Sequence, residues 1–233
     1  MGLLLLVGPV DAGKTTLSRA LLARREGFLL DLDVGQGSLP GALSLFRLRE
    51  GRWVLLRRYL VGALSPRGLE AEVVAGSARL RRLLPEDAFA VADTDGLLDE
   101  RLRLLQAEAL LPEEVWVLGD RDLYRALSWR QDFRVRLFSP LKEARRKTAE
   151  KRRRARTERL LAHFSQALPR VLPYEGEASP RLFGLLDGEG FLLGYARLLA
   201  SGGGEGLFLT PVRGEVARVL PTRIPWPSPA LPG

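Results

Sequence analysis

The residues Gly8, Pro9, Val10, Asp11, Ala12, Gly13, Lys14, Thr15 and Thr16 run consecutively and satisfy G-x-x-x-x-G-K-[ST] without a mismatch. That spacing suits a bound nucleoside triphosphate with Mg²⁺. Gly8 and Gly13 let the backbone curl around phosphate oxygens and aim its N–H groups at them. Lys14 places a point charge against the β- and γ-phosphates, and the Thr15 hydroxyl can hold Mg²⁺. A chance match in a glycine-rich loop would lack the right flanks. Here the apolar run Leu3–Val7 precedes the loop as a buried strand, and Thr15–Arg24 follows with Leu17, Leu21 and Leu22 on one helical face.

Three further groups bear on what happens to the terminal phosphate. Asp31-Leu-Asp33 closes the run Phe28–Leu32. Alternation sets both carboxylates on one side of a strand, where they can accept a proton from an attacking hydroxyl or hold a metal-bound water. Two aspartates at a strand end can also merely cap it. Asp93-Thr-Asp-Gly96 closes another strand and can bring Asp93 near the metal. Read alone it resembles a GTPase switch, but a guanine-specific site of the usual kind needs an asparagine, and the chain contains none. The segment Arg145–Arg159 holds nine Lys/Arg against Glu150 and Glu158, within a chain of net charge +8. A solvated helix face is one reading of such a run; a polyanion partner is the other.

Elements that would position these groups alternate along the chain. Strands are expected at Leu43–Leu48, Trp53–Leu60, Ala88–Ala92, Glu114–Leu118 and Phe133–Phe138. Helices are expected at Leu69–Leu84, Glu100–Leu111 and Asp122–Leu127. Alternating strands and helices predict an α/β fold with a mostly parallel sheet covered by helices. Lys142–Leu168 reads as one long helix with Arg152, Arg156, Arg159 and His163 on a single stripe. The only histidine, His163, reads as a packed or solvent-facing side chain rather than a catalyst. Beyond Pro169 proline and glycine multiply, and short apolar runs at Leu182–Leu186, Phe191–Leu199, Leu207–Leu209 and Val216–Leu220 predict a small antiparallel β module. Residues 1–168 then form one unit and 169–233 a second, ending in a proline-rich tail from Ile224.

The chain has no cysteine, so disulfides and thiolate metal sites are excluded. The first apolar run is too short for a signal peptide or a membrane span, which predicts a soluble cytoplasmic protein without a membrane partner. Scarce thermolabile residues suggest a thermophile, as a GC-rich genome would also do.

Five blocks together carry a resemblance: Gly8–Thr16, Asp31–Gly37, Tyr59–Gly68, Asp93–Gly96 and Arg145–Phe164. In order and spacing they look like the Clp1/Grc3/Nol9 family of polynucleotide kinases. The strings Gly184–Gly194 and Leu209-Thr-Pro211 resemble the β module that follows the kinase domain in such proteins. The resemblance implies a P-loop kinase that moves the γ-phosphoryl of ATP, with Mg²⁺, onto the 5′-hydroxyl of RNA or DNA. It implies that Lys14 and Thr15 hold phosphates and Mg²⁺; Asp31, Asp33 and Asp93 are candidates beside the metal from their places at strand ends. Asp33 matches the Walker B carboxylate and general base, with Gln36 next to it. Ser65, Pro66, Arg67 and Gly68 match a clasp on the acceptor end. Arg152, Arg153, Arg156 and Arg159 match arginines of a lid over the triphosphate.

Three departures stand out. The sequence opens at the phosphate loop, with no counterpart of the β domain that helps hold adenine in eukaryotic relatives. Asp93 replaces an asparagine, and Leu97 replaces an aromatic residue able to stack on a base. Trp129 is another aromatic that could stack, unless it packs in the core. A small-molecule kinase, a catalytically weak ATP-binding scaffold in RNA processing, and an atypical GTPase are the competing readings.

Overall fold

The computed structural model describes residues 2–141, 147–177 and 179–227. β1 (Leu3–Val7) is apolar throughout because both its faces are covered. Leu3, Leu5 and Val7 enter one core, and Leu4 and Leu6 enter another on the opposite face. α1 (Lys14–Arg24), β2 (Gly27–Leu32), β3 (Ala42–Arg49), β4 (Arg52–Leu60), α2 (Glu70–Arg81) and β5 (Ala90–Thr94) follow. Then come α3 (Glu100–Leu110), β6 (Glu114–Leu118), α4 (Arg121–Ser128) and β7 (Arg134–Phe138). The seven strands form one sheet in the order β4-β3-β2-β5-β1-β6-β7. Strands β2, β5, β1, β6 and β7 are parallel, and β3 and β4 add an antiparallel edge. α1 covers one face through Leu17, Leu21 and Leu22, while α2, α3 and α4 cover the other through Val73, Leu80, Leu102 and Leu123.

α5 (Ala149–His163) is shorter than the helix expected from the sequence. Thr148 caps its N-terminus by accepting a hydrogen bond from Lys151 N. The start of the expected helix, 142–146, lies outside the described residues. At the other end Phe164 closes the last turn and Leu168 already belongs to a strand.

β8 (Leu168–Pro173), β9 (Arg181–Leu186), β10 (Leu192–Gly202), β11 (Glu205–Thr210) and β12 (Arg218–Pro225) form a second sheet, antiparallel throughout, in the order β12-β9-β10-β11-β8. Two of its strands depart from the sequence reading. Pro169 and Pro173 hid β8, and Pro221 and Pro225 made β12 look shorter than it is. Both are edge strands, where a missing N–H costs no ladder bond. The start of the expected proline-rich tail is packed. Ile224 is fully buried, and the Trp226 ring packs on Phe164; 228–233 lie outside the described residues. Trp129 is also unlike its core reading, being 65% exposed at the end of α4.

One apolar cluster joins the two sheets. Leu160 and Phe164 of α5 meet Leu39 and Ala42 from the first sheet's side and Leu182, Leu192 and Tyr195 from the second. The basic helix is thereby held at the C-terminal ends of β1, β2 and β5.

Candidate active site

The loop 8–16 joins β1 to α1. Gly8 has φ 145° and Gly13 has φ 94°, conformations that suit glycine. A Cβ on Gly8 would also collide with the Leu118 carbonyl. α1 has no side-chain cap, whereas Asp99, Asp120 and Thr148 cap α3, α4 and α5. The first amides of α1 are thus left for an external anion. Lys14 Nζ donates to the Gly8 and Pro9 carbonyls, each at 2.8 Å, and spans the loop. Burial pulls its pKa down, with Asp93 and Asp33 acting the other way.

The strand next to β1 is β5, and it intervenes between β1 and β2. The strand that ends in Asp31-Leu32 is therefore separated from the phosphate-loop strand by β5. Asp93 lies on that intervening strand. Its Oδ2 accepts the Thr15 hydroxyl at 2.6 Å, and its buried Oδ1 has no hydrogen-bond donor among the described residues. Asp31 lies directly opposite Asp93 in the β2–β5 register. Burial pushes Asp93 up to about 7, and the Asp31 charge adds to that. Burial pushes Asp31 up to about 6, with Asp33 adding and the Ser38 amide opposing.

Asp33 follows β2 in a turn. Its Oδ1 accepts the Gly35 amide at 2.9 Å and the Gln36 amide at 2.7 Å. It caps this turn, and Oδ2 has no hydrogen-bond partner among the described residues. Burial raises its pKa; the two amides and Lys14 pull it back. The segment after β4 adjoins the turn, since a Cβ on Gly35 would sit 3.0 Å from the Leu64 carbonyl. There Ser65 Oγ accepts the Arg67 amide, and Pro66 is buried while Ser65, Arg67 and Gly68 are exposed.

α5 closes the site from above. Asp11 Oδ2 accepts the Lys147 amide at 2.9 Å and pairs with Arg152 at 3.2 Å. Gln36 Nε2 reaches the Arg152 carbonyl at 3.4 Å, and Arg159 donates to the Gln36 carbonyl at 3.0 Å. Arg156 is half-buried between these two arginines on the helix. Burial and Arg152 lower its pKa, and the Asp33 charge raises it. Arg153 and Arg154 face solvent, so Arg153 is not brought to the site. Arg145 lies outside the described residues. His163 Nε2 accepts the Tyr195 amide at 2.9 Å, and burial pushes it down to about 4.

Sequence reasoning missed one support. Arg103, fully buried on α3, pairs with Asp95 at 2.5 Å, donates to the Leu97 carbonyl and bonds Gln106. It holds the loop after β5, whose Gly96 lies so close to Val10 that a Cβ would collide with it. An arginine among the apolar positions of α3 was the only available signal.

A divalent cation fits beside Thr15. The hydroxyl and the orphaned Asp93 Oδ1 are hard oxygen donors, and Mg²⁺ takes one or two carboxylates together with phosphates. Among the described residues no group of three or more His, Cys, Asp or Glu forms an all-protein metal cage. No helix among them is long and apolar enough to cross a membrane.

Comparison with family models matches residues 8–166 to the mRNA cleavage and polyadenylation factor CLP1 P-loop family. Curated protein sequences give no significant match. Two solved structures share the fold. The wild-type Clp1p–Pcf11p complex aligns at TM-score 0.66 and 15% identity, covering 93% of this chain and 72% of that one. A second structure, of the extended Pcf11p–Clp1p interface and ATP loss in a glycine-to-arginine mutant, aligns at TM-score 0.69 and 13% identity. It covers 95% of this chain and 74% of its own.

Proposed function

Because this chain belongs to the CLP1 P-loop family, we propose that it transfers the γ-phosphoryl group of ATP to the 5′-hydroxyl end of a polynucleotide. The observation that carries this reading is convergence. The uncapped start of α1, the Asp33 carboxylate and the guanidinium groups of α5 meet at one end of one sheet. A nucleotide-binding protein without transfer chemistry has no need of the last two.

The loop 8–16 and the amides of α1 bind the phosphates, with Lys14 turning from its own loop carbonyls to the β/γ-oxygens. Mg²⁺ bound at Thr15 and Asp93 would neutralise charge on those oxygens. Asp33 uses Oδ1 to fix its turn and keeps Oδ2 for the incoming hydroxyl, whose proton it accepts as the new P–O bond forms. Its raised pKa makes it a better base than an ordinary carboxylate. Arg152 is engaged by Asp11, and Arg159 by Gln36. Arg156 has no carboxylate partner among the described residues, so it is the guanidinium assigned to the transferring group. Ser65–Gly68 lies beside the Asp33 turn, where it can grip the acceptor end.

The test is label transfer from γ-labelled ATP or GTP to 5′-hydroxyl RNA and DNA oligomers. Transfer to the oligomer, abolished in Lys14→Ala, supports the reading. Rapid transfer to a free nucleoside without gain for an oligomer makes it a small-molecule kinase. A scaffold role is favoured by one observation, that the solved Clp1p structures hold a protein partner. Tight ATP binding with no turnover on any acceptor would establish that role instead.

A further inference from the structure

β4 carries two consecutive arginines, Arg57 and Arg58, which alternation sends to opposite faces of the sheet. A β-bulge decides which face each takes. β3 pairs Phe46 with Leu55 and then Leu45 with Arg57, so Leu56 is an extra residue on β4. The shift puts Arg57 over the Phe191 ring and brings Arg58 into register with Ser44 and Asp31. With uninterrupted pairing Arg57 would share the Asp31 face and Arg58 would not. That face is the one α1 packs against, since Leu29 and Phe46, neighbours of Asp31 and Ser44 on it, join Leu17 and Leu22.

Arg58 is half-buried, and its Nε is buried without an acceptor. Among the described residues every other arginine that is not exposed, Arg156 apart, donates to an oxygen of the chain. Arg58 donates to none of them. Its charge is felt at His163, and Tyr195 and Asp31 act on it in turn. Asp31 is not its hydrogen-bond partner: among the described residues no ion pair joins the two, and the Asp31 oxygens accept the Asp33 and Ser38 amides. A guanidinium keeps its charge when buried and carries only donors. Leaving such a group unpaired is costly, which points to an anion that the chain itself does not supply.

Strand order says which anion. In the order β4-β3-β2-β5-β1, Arg58 lies beyond Asp31 on the side away from the phosphate loop. The spacings from β4 to β1 add to ~19 Å, too far for this side chain to serve a triphosphate held by the loop 8–16. The spacings from β4 to β2 add to only ~10 Å, which the side chain and a ligand at the end of β2 can bridge. In-line transfer puts the acceptor on the opposite side of the γ-phosphorus from the departing ADP. An acceptor whose 5′-hydroxyl meets Asp33 therefore carries its nearest phosphate away from ATP, towards β3 and β4. We infer that Arg58 binds the first phosphodiester of the acceptor strand, and so makes the site prefer a polynucleotide to a free nucleoside. The assignment rests on the transfer reaction proposed above, and it names the group by which that reaction recognises a strand.

Steady-state transfer to 5′-hydroxyl oligomers of about six nucleotides tests this, with a neutral methylphosphonate at either the first or the third linkage. In the unaltered protein the first-linkage replacement should raise the KM of the oligomer about tenfold or more, and the third-linkage one should leave it near its starting value. Arg58→Gln should raise the KM of the all-phosphate oligomer by a similar factor without moving the KM of ATP. In that variant the first-linkage replacement should cost nothing further, because the two changes remove one contact. Arg58→Lys should recover part of the loss. Losses that simply multiply, an equal rise in the KM of ATP, or no loss on neutralising the first linkage would each overturn the assignment. Should Arg58→Gln fail to fold, an azidophenacyl group on a first-linkage phosphorothioate can be crosslinked to the unaltered protein. Crosslinks within 56–60 support the contact, and crosslinks confined to Ser65–Gly68 and α5 refute it. If no acceptor is phosphorylated the kinase reading falls, and the same linkage comparison made by fluorescence anisotropy still decides the Arg58 contact.

Discussion

Asp33 caps a turn with one carboxylate oxygen, and the proposed transfer assigns the other to the incoming hydroxyl; substitution can separate the two. Oδ1 caps the turn after β2 by accepting the Gly35 and Gln36 amides. Asp33→Asn keeps a cap acceptor and loses the base. Transfer should therefore fall about 10²–10⁴-fold while ATP affinity and thermal stability stay near the unaltered values. A variant with full turnover would remove Asp33 from proton transfer. Asp93 and Asp31 make a pH prediction. Both are raised, to about 7 and about 6, so the folded chain holds protons that the unfolded chain releases near pH ~4. Their contribution to stability is intact below that pH and is lost as pH climbs towards the folded values. The melting temperature should fall between about pH 4 and about pH 7, and Asp93→Asn should flatten the fall. ATP with Mg²⁺ should flatten it too, because a cation at Thr15 holds Asp93 ionised. His163, pushed down to about 4 in the folded chain, takes up a proton near 6.5 when the chain unfolds, so it adds stability as pH climbs between about 4 and about 6.5 and partly offsets the two aspartates.

At the scale of elements, α5 is positioned by contacts at both ends, of different kinds. Its C-terminal turn is anchored by burial of Leu160 and Phe164. Its N-terminal turn is latched to the phosphate loop by Asp11, through the Lys147 amide and Arg152. A partly exposed ion pair of this kind is worth under ~1 kcal/mol, so the latch is a light one. Asp11→Ala should leave the melting temperature almost unchanged. Hydrogen exchange of the amides at 147–152 should accelerate, with little change at 160–164. Protection unchanged along the whole helix would show that the latch does not hold it. The sequence made the inner stripe of α5 readable, because i, i+4 and i+7 spacing is local. Nothing in it separated Arg156 from its neighbours. That distinction comes from Asp11 and Gln36 engaging Arg152 and Arg159 and leaving Arg156 without a carboxylate. Edge strands β8 and β12 were obscured for a related reason. Proline argues against a strand until its neighbours show that the strand is at an edge.

The whole molecule depends on the cluster that joins its two sheets. Leu160 is almost fully buried there, with Leu182, Leu192 and Tyr195 from one side and Leu39 and Ala42 from the other. Leu160→Ala should cost ~2–5 kcal/mol, and both sheets should lose structure in one transition by circular dichroism and tryptophan fluorescence. Two separated transitions would mean that the sheets are stable independently. The sequence alone determined the strand-loop-helix of residues 3–24 and the alternation of elements behind it. It also determined the mostly parallel sheet and the antiparallel β module. These follow from short-range periodicity and from glycine and lysine at fixed spacing, which any window of the chain displays. Tertiary structure alone decided that β5 inserts between β1 and β2. That insertion gives Thr15 to Asp93 and sets Asp31 opposite Asp93. Strand order is settled by packing between segments far apart in the chain, and no local spacing encodes it. The same non-local packing buries Arg103 against Asp95 and brings α5 over Asp11 and Gln36, more than a hundred positions earlier in the chain.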